Sequence, residues 1–126
     1  MLKKIVVCVM ICLGITFSYG QNIKDCGLLI DYDGNSYHTV VIGNQCWMRE
    51  NLRTTHYADG QALKLGTNVS ETERFYYYPN NEQGQVKSYG LLYNWFTAIN
   101  GAKATEENPS TVQGICPNGW HLPSNT

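Results

Sequence analysis

The chain has 126 residues, enough for one domain, and a formal charge of −1 with no cluster of lysine or arginine. That balance argues against a nucleic-acid partner, which needs a basic stripe to neutralise phosphates. Nine tyrosines and three tryptophans suit either a core or a contact surface for sugar or protein.

The first twenty residues read as a leader rather than as fold. Lys3 and Lys4 precede an almost wholly apolar run from Ile5 to Phe17, and Ser18 and Gly20 put small residues at −3 and −1 of a cut after Gly20. The run is too short for a membrane span, which takes about 20 apolar residues, and no later segment offers one. Cys8 and Cys12 lie inside it, but Val7 and Ile11 stand where lipid attachment would need a small residue. A secreted or cell-surface chain beginning at Gln21 is therefore expected, with its charge at −3 once Lys3 and Lys4 are removed. It keeps Cys26, Cys46 and Cys116, an odd count in an oxidising compartment.

Leu28 to Tyr32 reads as a strand and Asp33-Gly34 as a turn. Tyr37 to Ile42 reads as a second strand, Gly43-Asn44 as a turn, and Gln45 to Met48 as a third strand. Residues 49–68 lack a clean period and read as a long loop. Phe75 to Tyr78 reads as a short aromatic strand, buried on at least one face. The spacing of Leu92, Trp95, Phe96 and Ile99 predicts one helix over Ser88 to Asn100, with Ser88 as N-cap and Asn100-Gly101 as its stop. Pro117, Gly119 and Pro123 among the last thirteen residues exclude a helix there.

No motif points to catalysis. Asp31, Asp33 and Asn35 alternate like the start of a calcium loop, but the glycine comes fourth and Ile42 stands twelfth, so a polar turn is the better reading. Cys46 with His56, or Cys116 with His121, are the only thiol–imidazole candidates, and export favours disulfides instead. No zinc spacing occurs, and no cofactor is expected. Asn68-Val69-Ser70 matches a glycosylation acceptor. For a ligand surface the aromatics stand out: Tyr76, Tyr77 and Trp47 are the candidate binding residues, with a glycan or a surface protein as partner.

Two stretches together resemble a known family. Asp33-Gly34, Tyr37, Ile42-Gly43, Trp47-Met48, Glu50-Asn51-Leu52 and Asp59-Gly60 form the first. Tyr89-Gly90, Tyr93-Asn94-Trp95 and Cys116-Pro117 through Trp120-His121-Leu122-Pro123 form the second. In this order they resemble the Fibrobacter succinogenes major paralogous domain, a family of exported bacterial proteins. The resemblance implies an α+β, C-type lectin-like fold over residues 21–126, with an N-terminal β-meander and one helix. It also implies that the chain is the N-terminal part of such a domain, its C-terminal half missing. Two disulfide pairings stay open: Cys26 with Cys46, leaving Cys116 for a cysteine of the missing half, or Cys46 with Cys116. The first is preferred. A non-catalytic module for binding or adhesion is the expectation. The alternatives are an oxidase-type enzyme on a lectin-like scaffold, and a truncated fragment with no function of its own.

Overall fold

A computed structural model describes residues 25–124. The expected leader, its cut after Gly20, and Cys8 and Cys12 lie outside the described residues. Six short strands come first, followed by short helices and a seventh strand, in an α+β arrangement. The first strand, β1 (Leu29–Ile30), pairs antiparallel with β2 (Ser36–Tyr37). Asp31 builds the turn between them: its Oδ1 accepts from Asn35 N at 2.9 Å and its Oδ2 from Asn35 Nδ2 at 2.9 Å. The alternating acidic stretch is thus a side-chain-braced turn, as the sequence implies. Among the described residues no three His, Cys, Asp or Glu side chains gather into a metal site.

The expected strand from Tyr37 to Ile42 is broken at His38, whose backbone N donates to Glu50 Oε2 at 2.7 Å. Beyond it β3 (Thr39–Ile42) forms a hairpin with β4 (Gln45–Met48) across Gly43-Asn44, in the register Val40 to Trp47. A disulfide joins Cys26 to Cys46, 20 residues apart, and ties the segment before β1 to β4. Of the two pairings left open by the sequence, this is the one that forms. Cys116 keeps a free thiol.

A third, three-stranded sheet runs β5 (Lys64–Leu65), β6 (Phe75–Tyr77) and β7 (Leu92–Tyr93), with β5 parallel and β7 antiparallel to β6. The core lies beneath it: Tyr57, Leu63 and Ile115 are buried, and Leu52, Tyr76 and Tyr93 pack on them. The Tyr57 hydroxyl donates to Thr97 O at 3.0 Å and the Tyr93 hydroxyl to Thr54 O at 2.8 Å, so the polar ends of both rings are satisfied inside.

The single helix expected over Ser88 to Asn100 does not form. Instead α1 (Val86–Tyr89) stops at Gly90, β7 follows, and α2 (Trp95–Ile99) starts afresh with Asn94 as its N-cap. Gly90 adopts φ +72, and a Cβ there would lie 2.6 Å from Asn51 Cβ and 2.7 Å from Leu52 O. The chain must run this close because Leu91 N donates to Leu52 O at 2.8 Å. Pairing with β6 then outweighs helix propensity, which is a weak prior against tertiary contacts. The supposed apolar stripe is not a buried face either: Leu92 and Trp95 are exposed, whereas Leu91 and Thr97 are buried. Asn94 Oδ1 accepts from Thr97 N at 3.0 Å, and its Nδ2 donates to Ser70 O and Glu73 O at 2.7 Å each. One side chain thereby caps a helix and fastens the loop before β6. The stop at Asn100-Gly101 holds, with Asn100 in the left-handed region.

Candidate functional site

The turn-rich stretch from residue 108 to 124 has no regular structure, yet it is held firmly. Ile115 N donates to Ala98 O at 2.9 Å, Leu122 N to Val112 O at 2.8 Å and Trp120 N to Pro117 O at 3.0 Å. Gln113 Nε2 donates to Cys116 O at 3.1 Å and to Asn118 Oδ1 at 3.3 Å. This stretch forms one wall of an open groove of about 840 Å³, and β4 with residues 50–52 forms the other. The volume falls within the range of about 300–1,000 Å³ common for small-ligand sites.

Two indoles line the groove, Trp47 from β4 and Trp120 from the turn-rich wall. Trp47 is 39% exposed, and its Nε1 donates to Gln45 Oε1 at 3.2 Å, which fixes the ring's tilt. Around them stand the amides of Asn44, Gln45, Asn51 and Asn108. Asn51 Nδ2 donates to Tyr89 O at 3.0 Å, leaving its Oδ1 as an acceptor. Glu50 is the one Asp, Glu, Lys or Arg in the lining among the described residues. Both its oxygens are engaged by His38: Nδ1 stands 2.6 Å from Oε1, and the backbone N donates to Oε2. The His38 side-chain contact, which outweighs desolvation, holds the Glu50 carboxyl below the usual range. A smaller cavity of about 300 Å³, lined by Trp95, Ala98, Ile99, Val112 and Leu122, shares Ser110, Pro123 and Ser124 with the groove but neither of its indoles.

All three described cysteines border the groove. Burial pushes the Cys116 thiol up to about 11, so it stays protonated at neutral pH and is a poor nucleophile. His121 Nδ1 contacts Leu122 O at 3.0 Å rather than the thiol. Cys46 is in the disulfide, and His56 pairs elsewhere. Neither thiol–imidazole pair considered from the sequence is assembled.

His56 belongs to a second cluster that the sequence does not signal. Its Nδ1 lies 2.5 Å from Asp33 Oδ1, while Asp33 Oδ2 accepts from Thr55 N at 2.5 Å and Thr55 Oγ1 at 2.9 Å. Burial raises the Asp33 pKa, but the Thr55 and His56 hydrogen bonds outweigh it, and the net shift is downward. A carboxylate with a depressed folded pKa stabilises the fold fully above its unfolded pKa, about 3.9. That stabilisation is lost as pH falls through the folded value. Thermal melts taken between neutral and strongly acidic pH should show this loss, and Asp33→Asn should flatten the acid limb. An unchanged acid limb in the variant would mean that Asp33 is not among the groups responsible.

Of the candidate binding residues, the structure brings only Trp47 to the groove. Tyr76 packs on the core from β6, and the Tyr77 hydroxyl donates to Asn68 O at 3.1 Å; neither lines the groove. Trp120, Glu50 and the four amides are residues that the sequence reading passed over. They come from segments about 60 to 70 residues apart, and no local pattern joins them.

The fold and groove together define a small disulfide-tied α+β domain with an open, aromatic and amide-lined cleft. Residues 40–126, more than half of the chain, match the model of the Fibrobacter succinogenes major domain, and the chain belongs to that family. No curated protein and no solved structure matches it.

Proposed function

We propose that this protein is an exported, non-catalytic binding module of the bacterial surface, C-type lectin-like in fold, whose groove holds a glycan. The observation that carries the reading is the pairing of Trp47 and Trp120 in one groove among neutral amides. Indole faces stack on the apolar faces of sugar rings, and amides offer both a donor and an acceptor to hydroxyl groups. Export is supported by the leader pattern of residues 1–20 and by the disulfide, which fits an oxidising compartment. Among the described residues no helix is long and apolar enough to cross a membrane.

Calorimetric titration of the mature protein with a panel of oligosaccharides tests the reading. Trp47→Ala and Trp120→Ala should each weaken binding by about tenfold or more, as buried aromatic anchors do. Full affinity in both variants, or no binding to any oligosaccharide, would refute it.

A further inference from the structure

The charge of the groove narrows the ligand further. Among the described residues no lysine or arginine lines it, and the one Asp or Glu carboxylate there is that of Glu50, which lies between the Trp47 strand and Asn51. We propose that the groove selects neutral glycans and rejects those bearing carboxylates or sulfates, with Glu50 as the specificity-determining residue. This inference rests on the glycan reading above.

Three observations support it. First, recognition of an acidic sugar is best served by a lysine or a bidentate guanidinium facing its carboxylate, and the described lining holds no Lys or Arg, with His121 as its one imidazole. Second, Glu50 is not free to swing away or to turn its charge outward: His38 grips both oxygens, one through the ring and one through the backbone. The carboxylate is therefore a fixed feature of the wall, and its side chain is still 39% exposed. Third, the polar side chains that remain in the lining are the four amides, Ser110, Ser124 and His121, and the donor and acceptor pairs of the amides match neutral hydroxyl and acetamido groups. An anionic ligand would meet the Glu50 carboxylate, whose two oxygens His38 already engages, and building repulsion against the wrong partner is a general route to specificity.

The test compares matched pairs: hexasaccharides of glucose, mannose and galactose against those of glucuronic, mannuronic and galacturonic acid, at low and high salt. The neutral member of a bound pair should bind about tenfold tighter at low salt. High salt should narrow the gap by strengthening the acidic member, because exposed charges are screened. Glu50→Gln should raise the ratio of acidic to neutral affinity severalfold. If that variant does not fold, the salt dependence of the wild type decides alone. Acidic hexasaccharides binding as tightly as neutral ones at low salt would overturn the inference and leave the glycan reading standing. So would a gap that neither salt nor Glu50→Gln moves. Failure of every hexasaccharide, neutral and acidic, would overturn both.

Discussion

Tyr37→Ala should cost about 3–5 kcal/mol of stability, the usual toll for removing a large buried aromatic ring. Tyr37 is 0% exposed and stands at the junction of the first sheet with the loop after β4. Its ring opposes Leu29 across β1 and β2, and the Arg53 guanidinium lies over its face at 4.7 Å. Its hydroxyl donates to Asp31 Oδ2 at 2.5 Å and accepts from Arg53 N at 3.1 Å. Burial, reinforced by the Asp31 hydrogen bond, raises the pKa of the phenol, which keeps it a donor throughout the physiological range. Tyr37→Phe keeps the ring but leaves the Arg53 N–H without its acceptor and Asp31 Oδ2 with only the Asn35 amide, and should cost about 1–3 kcal/mol. For a domain stable by about 5–15 kcal/mol the alanine variant is close to unfolding. Denaturant titration of the oxidised protein measures both. A midpoint unchanged in Tyr37→Ala would mean that the first sheet contributes nothing to the cooperative unit.

Gly114→Ala should be about as severe. Gly114 adopts φ +55, and an added Cβ would lie 2.0 Å from Ala98 O and 3.0 Å from Leu122 Cδ1. The nearer obstacle is backbone, and it is the acceptor for Ile115 N. The turn-rich wall would have to leave α2, taking Ile115 out of the core and Trp120 away from Trp47. A loss of about 3–5 kcal/mol follows, the size that goes with broken core packing and backbone strain together. Gly119→Ala is the control. Its φ is +80, but nothing lies within 4 Å of the added atom. Only the left-handed conformation is penalised, at about 1–2 kcal/mol. Thermal melts with near-ultraviolet circular dichroism, which reports the indole environments, compare the two. Equal melting temperatures would show that the approach of Gly114 to Ala98 relaxes freely.

The local features were the ones legible in the sequence. Asp33-Gly34, Gly43-Asn44 and Asn100-Gly101 turn the chain where their backbone chemistry demands it, because a turn is decided within four residues. The polar reading of Asp31, Asp33 and Asn35 held for the same reason. The helix over Ser88 to Asn100 failed because the deciding contact, Leu91 on Leu52, is remote in sequence, and periodicity carries no trace of it. His38 broke a strand for a similar cause, its grip by Glu50. Family membership was legible from scattered identities, and the Cys26–Cys46 pairing was one of two that the sequence left open. The groove was half legible. Trp47 stood out as an aromatic on a strand, whereas Trp120 read only as part of the family motif. Their meeting depends on the packing of residues 108–124 against α2, which no window of sequence contains.

The three tryptophans give the account its most direct test. Trp47 and Trp120 line the groove, while Trp95 lines the other cavity and is 64% exposed. The measurement is a titration of the nitrogen-15-labelled protein with a neutral hexasaccharide, following the three indole N–H signals. The account predicts saturable shifts of the Trp47 and Trp120 signals with one common affinity, and a Trp95 signal that stays put. Shifts confined to Trp95, or none at any sugar concentration, would contradict a glycan site in the groove.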